Sequence, residues 1–586
     1  MQRFLTRLLL GATLLPMVLA PVANTTAMAA SSGSQKQLGD VLVQNTPATH
    51  FIWTDKLWYE AGATQTLRWT FDPQGEAYPF TVFVYRENIT TGERMYVSNG
   101  SLTADVHDVF GNAPGSFLPM LPSETRAQVL YTGGVPATGN YHFVAELRDV
   151  TATQIVKRAW AKFNVVSNIV TMGANGQDTE ISSDATWTAD TVYRIYHQVF
   201  VNDGATLTIE PGTIVVANGQ NAVLVIERGG KIMAQGRREL PIVMTCDGDM
   251  GERYSGCWAG IILLGKATHN FAGNAIAEGV IPATRPVYGG NDDDDSSGVL
   301  EYVRVEFAGV DFSNEIQPNA FGFHGIGRGT VIRHIQAHEG EDDGIEFFGG
   351  TANLSYFVSD GSKDDSLDST FGWRGVAQFG FILQDAVEAD RGYEGDGNEN
   401  GFANTPLTDP KIWNVTFVGQ QSGGRGLNPR RGHKGTFNNN IIMNFGNDGI
   451  DPVLADAGTD PKLNANLFWL NAGGKTGLLD QNDSQAADIL TNGMRNIAAN
   501  PLLRNIRFEG NPDPRPRDGS PALMVGAGLT PPSSDVSSPE GSFIGGFSAT
   551  ENWLEEWTFF GSEDNYDADP SNDTITPDPN QTPIAQ

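Results

Sequence analysis

The chain has 586 residues, of which 69 are acidic and 38 basic, and a formal net charge of -31. Such an excess repels nucleic acid and anionic membranes and attracts divalent cations. The length accommodates two or three domains, and with two cysteines in so long a chain a core rather than crosslinks must supply most of the stability.

Residues 1–29 carry the three parts of a secretory signal: Arg3 and Arg7, an apolar run from Leu8 to Ala20, and Ala27-Met-Ala29. The expectation is a mature start near Ala30 and a product that is periplasmic, secreted or surface-attached. No later apolar stretch is long enough to span a bilayer. Residues 44–166 hold alternating apolar and polar runs between Gly, Pro and Asn turns, among them Phe51-Ile-Trp, Gln65-Thr-Leu-Arg-Trp-Thr and Tyr141-His-Phe-Val-Ala-Glu-Leu. That pattern and length predict an immunoglobulin-like β-sandwich. Residues 167–178 are polar and Gly-containing, as a linker would be.

From 179 to 510 the expected element is a right-handed parallel β-helix. A strand, a Pro-Gly corner and a second strand recur within a turn's length in Gly204-Ala-Thr-Leu-Thr-Ile-Glu-Pro-Gly-Thr-Ile-Val-Val-Ala217. Further on, Glu341-Asp-Asp-Gly-Ile-Glu-Phe-Phe-Gly-Gly350 returns 22 residues later as Lys363-Asp-Asp-Ser-Leu-Asp-Ser-Thr-Phe-Gly372. Ile332 and Ile335 keep the same offset to Leu354 and Phe357, and then to Val376 and Phe379. A period in the low twenties is too short for helix-pair repeats and fits a solenoid of strands. Cys246 and Cys257, eleven positions apart in a Gly- and Asp-containing stretch, suit a disulfide closing a short loop in an oxidising compartment, or else two buried thiols. Residues 511–561, with Trp553 and Trp557, are expected to fold back as a C-terminal cap. Residues 562–586 are acidic and Pro-rich, the composition of a disordered tail.

The run Thr330-Val-Ile-Arg-His-Ile-Gln-Ala-His-Glu-Gly-Glu-Asp-Asp-Gly-Ile-Glu-Phe-Phe-Gly-Gly-Thr, with Asp364-Asp-Ser-Leu-Asp and Gly372-Trp-Arg-Gly-Val-Ala-Gln-Phe-Gly, resembles a family of secreted bacterial right-handed parallel β-helix proteins. Trp258-Ala-Gly-Ile-Ile-Leu-Leu-Gly and Phe543-Ile-Gly-Gly-Phe extend the match over roughly Trp187 to Phe560, leaving the sandwich outside it. The resemblance implies a fold and an extracellular or cell-surface setting, and no assigned activity.

Stacked coils convert recurring acids into a ladder of like charge: Asp342, Asp343 and Glu346, then Asp364, Asp365 and Asp368, with Asp390 and Glu394 beyond. Two carboxylates about 4.8 Å apart repel by roughly 3 kcal/mol at an effective dielectric of 20. Either a hard oxygen-loving cation such as Ca2+ neutralises the ladder, or the side chains are solvated corner residues accepting backbone N–H bonds. A basic group follows: Arg374, Arg391, Arg425, Arg430, Arg431, His433 and Lys434. Calcium with arginine is the equipment of a polysaccharide lyase, in which Arg391, Arg425 or Arg431 would remove the proton next to a uronate carboxyl. Paired carboxylates could instead hydrolyse a glycoside with inversion. The same arginines could also simply pair with aspartates on adjacent turns.

Trp373, Arg374, Arg430 and His433 are candidate ligand contacts. Phe347, Phe348, Phe371, Trp373 and Trp413 form either a sugar-stacking strip or core stacking, the simpler account for Phe347, Phe357 and Phe379. Strand alternation sends His324, His334 and His338 to different faces, which disfavours zinc. There is no Gly-x-Ser-x-Gly elbow, no phosphate-binding Gly-Lys-Ser/Thr loop and no haem-attachment motif. The leading expectation is thus a secreted, calcium-stabilised β-helix that binds an extracellular polysaccharide or another surface component. The competing one is a metal-dependent lyase or hydrolase on acidic polysaccharide.

Overall fold

Alternation between residues 49 and 166 places two sheets face to face, antiparallel throughout except where Trp58–Glu60 pairs in parallel with Ile155–Val166. Strands Thr49–Thr54, Thr64–Asp72 and Arg126–Gly134 form a three-stranded sheet. The second sheet has six strands and is centred on Thr81–Asn88, Gly139–Arg148 and Ile155–Val166. Leu67 and Trp69 from the first meet Val82, Val84, Phe143 and Phe163 from the second in one core. The computed structural model describes residues 49–72, 81–109, 111–113, 126–148, 152, 155–271, 273, 275–280, 285–310, 317–384, 388–420, 423–474, 484–506, 512–524, 528–531 and 542–560. The expected signal, 1–29, and tail, 562–586, lie outside the described residues.

After the sandwich the pairing becomes parallel. Residues 167–178, expected as a linker, instead supply the first solenoid strand, Asn168–Met172, which pairs in parallel with Thr191–Ile195. The polar composition misleads there because only Met172 of that strand is buried. Successive turns then add strands to a 17-stranded sheet and a 10-stranded sheet. The best-formed coils run Val331–His338, Ile345–Phe348, Leu354–Asp360, Leu367–Thr370 and Val376–Leu383, each strand hydrogen-bonded to its equivalent one turn away. The solenoid is a parallel β-helix, as the repeat implies. Ile335, Ile345, Phe347, Leu354, Phe357 and Leu367 point inward and stack into one continuous core.

The registers confirm the 22-residue offset for Ile335 on Phe357 and correct it one turn later. Leu354 pairs with Ala377 and Phe357 with Gly380, not with Val376 and Phe379. The turn containing Gly372-Trp-Arg-Gly375 is one residue longer than its predecessor, so every later side chain in that strand moves one place. Phe379 therefore leaves the core position and takes the left-handed conformation (φ 59°) that Tyr302, His334 and Tyr356 also adopt. These four rings form an outer ladder: Tyr302 on His334 at 4.2 Å, His334 on Tyr356 at 4.7 Å, and Tyr356 on Phe379 at 4.9 Å between centroids.

Residues 543–560, expected in a cap, lie as a strap along this outer face of the long sheet. Trp557 meets Tyr302 and His334 edge-on, and Trp553 meets Tyr356 in the same way. At the strap's far end the Gln336 side chain donates to the Phe559 carbonyl (2.5 Å) and accepts from the Phe559 N–H (2.8 Å). The last coils are covered by helix Ser484–Asn492, whose Ala486, Ile489 and Leu490 join the solenoid core. Cys246 and Cys257 form the expected disulfide, buried in the same core. The sandwich packs on the first coils: Asn164 Nδ2 donates to the Gly212 carbonyl (2.7 Å), and Leu57 and Trp58 cover Val192, Ile214 and Val216.

Candidate metal centre

The short sheet determines where the carboxylates stand. Its registers place Glu346 beside Asp368, Asp368 beside Glu394, and Glu394 beside Asn428. Ile345, Phe347 and Leu367 point into the coil, so by alternation the acids lie on the outer face. The corners before each strand add a second row, Asp342 and Asp343, then Asp364 and Asp365, then Asp390. Its rows are tied by backbone: the Asp365 N–H donates to Asp343 Oδ1 (2.9 Å), and the Asp390 N–H donates to the Asp364 carbonyl (3.1 Å).

All six carboxylates singled out in the sequence meet here. One oxygen each from Asp342, Asp343 and Asp364 lie within 4.8 Å of one another, as do oxygens of Asp343, Glu346 and Asp368, and of Asp364, Asp365 and Asp390. The second of these triads is buried throughout. Burial pushes the Asp343 carboxyl well above its usual range, and Asp342 and Asp365 push it further. Burial first and Asp368 second do the same to Glu346, whereas for Asp365 and Asp368 the second cause is Glu394. Without a cation, these groups resist ionisation.

The arginines sit to one side of the ladder. Arg391 Nη1 contacts Asp390 (2.6 Å), Glu394 (2.8 Å) and, more distantly, Asp365 (3.5 Å). Arg425 pairs with Asp451 (2.6 Å) and Asp390 (3.3 Å), Arg430 with Glu394 and Asp396 (2.7 Å), and Arg431 with Asp396 (2.6 Å). Among the described residues, no lysine or arginine comes within 4.0 Å of Asp343, Glu346, Asp364 or Asp368. One end of the patch is internally neutralised and the other is not.

Of the candidate ligand contacts, only Arg430 belongs to this patch. Trp373 is wholly buried, stacked on Phe347 at 4.2 Å, with its indole N–H donating to the Ala352 carbonyl. The longer turn that shifts the register tucks this ring into the coil. Arg374 is held elsewhere, by Asp293 (3.0 Å) and Thr268 (2.7 Å). His433 is also fully buried: its Nδ1 accepts from the Gly435 N–H, so Nε2 donates to Tyr393 Oη (2.8 Å), which shares a hydrogen bond with Ser369 Oγ (2.6 Å). Burial pushes this imidazole down to about 3. His324 stacks on Phe348, His334 lies in the aromatic ladder and His338 bonds Asp360 (2.6 Å), three separate surroundings that do not converge on a metal.

A ligand set made only of carboxylate oxygens in an irregular corner-and-strand arrangement fits a hard cation, and calcium, with six to eight oxygens, tolerates such geometry. A family model for a pectate-lyase-like beta helix domain matches residues 179–472, just over half of the chain. The chain belongs to the pectate-lyase-like β-helix family. No curated protein and no solved structure matches the chain. The matched span of this pectate-lyase-like β-helix contains the whole carboxylate patch and its arginines, and leaves out the sandwich and the strap. Among the described residues no helix is long and apolar enough to cross a membrane.

Several groups at this site of the pectate-lyase-like β-helix escaped the sequence. Asn319 Nδ2 donates to Glu346 Oε2 (2.5 Å), while its own Oδ1 is buried without a hydrogen-bond partner. Glu278, on the segment that covers the outside of the first coils, is pushed up to about 7 by burial and adds repulsion at Glu346. Both lie outside the repeating stretch and carry no periodic signal. Asp451 had one, since Gly426-Leu-Asn-Pro is answered by Gly449-Ile-Asp-Pro and Leu427 pairs with Ile450.

Proposed function

We propose that the protein is an extracellular or cell-surface β-helix that binds acidic polysaccharide through calcium held on its carboxylate ladder. The observation that supports this most strongly is the division of the patch. Asp343, Glu346 and Asp368 are buried together with raised affinity for protons and, among the described residues, no lysine or arginine within 4.0 Å, a state that a bound divalent cation relieves. A calcium ion there would still have coordination positions open to oxygens of a uronate polymer, and the adjacent arginines would attract the polymer's negative charge. The family description supports the class of ligand.

The lyase alternative needs a neutral basic side chain at the reacting carbon. Arg391, Arg425 and Arg431 are each in contact with carboxylates, and although burial works against it, Asp365 and Glu394 hold the Arg391 guanidinium still more firmly protonated. Ion pairing of this kind favours a binding role over proton abstraction. The sandwich fits an accessory attachment module. Its sheet orders, Thr49–Thr54, Thr64–Asp72 and Arg126–Gly134 against a sheet in which Trp58–Glu60, Ile155–Val166, Gly139–Arg148, Thr81–Asn88, Arg94–Ser98 and Ser101–Thr103 follow one another, support the immunoglobulin-like variable arrangement.

The test is retention of the mature protein on immobilised polygalacturonate or alginate, with calcium and with chelator, alongside an assay for unsaturated uronate ends. Calcium-dependent retention without new unsaturated ends is the expected result. Retention unaffected by chelator removes the calcium bridge, and steady production of unsaturated ends replaces the binding role by catalysis.

A further inference from the structure

The sandwich, the solenoid and the strap do not close completely where they meet. A cleft remains there, walled by Trp53, Leu57 and Trp160 of the sandwich, Leu554 and Phe559 of the strap, and Arg304 of the solenoid. Its free space, about 60 Å³, is room for roughly four to six waters, counting the space that the centre of each water needs. That is the bulk of one small organic molecule. Aromatic and aliphatic walls with a few polar groups are the usual lining of such a site.

Two charged groups of the lining, Lys162 and Glu556, stay apart. Lys162 Nζ donates to the Arg238 and Glu239 carbonyls (2.8 Å each), which uses two of the three N–H bonds of the ammonium. Among the described residues no carboxylate lies within 4.0 Å of it. Glu556 of the strap is half-buried, and among the described residues its carboxylate makes neither a hydrogen bond nor an ion pair. The two nevertheless interact at longer range: burial and then Arg304 hold the Lys162 amine down to about 7, while Glu556 and Glu239 work the other way. Arg304 itself is committed, with Nε 2.8 Å from Glu306 and Nη1 donating to the Trp557 carbonyl (3.2 Å). The other acid of the lining, Glu555, is exposed and is drawn on by Arg515. Glu556 also takes the left-handed conformation (φ 73°), which is costly for a residue with a side chain and recurs where a ligand is clamped. Unlike charges that share a cleft without closing into a pair leave a gap for a ligand that carries both charges.

We propose that this cleft binds a small zwitterion with an apolar side chain, an α-amino acid of about leucine's size, with its carboxylate on Lys162, its ammonium on Glu556 and its side chain against Trp160 and Leu554. The site is separate from the carboxylate ladder and does not rest on the polysaccharide reading. A bound amino acid touches the sandwich and the strap at once, so it also fastens the two together.

The experiment is calorimetric titration in chelator, which leaves the ladder out of the readout, on the wild type, Lys162→Gln and Glu556→Gln. The ligands are L-leucine, 4-methylpentanoate, which lacks the ammonium, and 3-methylbutylamine, which lacks the carboxylate. Glutamine keeps N–H donors at position 162 and nearly the same size at position 556, and circular dichroism checks the fold. Leucine should saturate the wild type with a dissociation constant of about a millimolar or tighter. Each analogue on the wild type, and leucine on each variant, should bind about tenfold more weakly or worse, because each lacks one charged hydrogen bond. No saturation by leucine at tens of millimolar, equal binding of 4-methylpentanoate, or leucine binding that both variants leave unchanged overturns the proposal. If Lys162→Gln does not fold, the analogue series on the wild type and Glu556→Gln decide the question by the same outcomes.

Discussion

At Asp343 the physical conflict is sharpest, because the same burial that stacks the coil also forces carboxylates together. Asp343, Glu346, Asp365 and Asp368 all have folded pKa values raised above the usual 3.8 to 4.5. A raised acid binds protons more tightly in the folded state, so its contribution falls as pH climbs from the unfolded value through the folded one. In chelator, the melting temperature should therefore decline between about pH 4 and neutrality, where Glu278 and Glu394 titrate near 7. Saturating calcium should flatten that decline. His338 has the same sign in a higher pH window: burial alone would lower it, but Asp360 and Glu339 outweigh burial and hold it up at about 9. Its stabilisation is complete below 6.5 and lost as pH rises through 9. A pH series of denaturant melts should show this alkaline loss in the wild type and a flatter limb in His338→Gln.

Among the elements, the strap and the disulfide loop make separable contributions. Trp557 is fully buried against the aromatic ladder, and Arg304 donates to its carbonyl (3.2 Å). Trp557→Ala should cost about 3–5 kcal/mol of strap attachment, seen as new protease cleavage within 543–560 before the solenoid unfolds. Replacing Cys246 and Cys257 by alanine opens a short loop and should lower stability by about 3 kcal/mol, measured by urea unfolding. The ladder was legible in the sequence because the two acidic corners repeat at an unbroken 22-residue offset, and the structure keeps that register in Glu346 beside Asp368. One longer turn was enough to misplace Val376 and Phe379, and to turn Trp373 from an apparent ligand contact into core. The strap's course along the sheet was not legible, since its partners Tyr302, His334 and Tyr356 are hundreds of residues away and look like ordinary strand aromatics. Which arginine takes which acid was equally hidden, because several acids share each arginine's neighbourhood.

For the whole molecule, the solenoid lines up its charges along one flank and its aromatic ladder along another, and the sandwich and strap occupy the second. Lys162 of the sandwich donates to the Arg238 and Glu239 carbonyls (2.8 Å each), which ties the sandwich to the coil away from the carboxylates. The sandwich and strap thereby pack on a flank other than that of the carboxylates, a division that the repeat architecture makes simple because each turn contacts only its neighbours. The most direct test is thermal unfolding of the protein in calcium and in chelator, for the wild type and for Asp343→Asn. Calcium at a hundred times its dissociation constant should stabilise the wild type by about 2.7 kcal/mol per ion, and the variant should lose most of that response while melting no lower in chelator. An identical wild-type melting temperature in calcium and in chelator would contradict the account, and the ladder would then be a set of protonated and solvated corner residues.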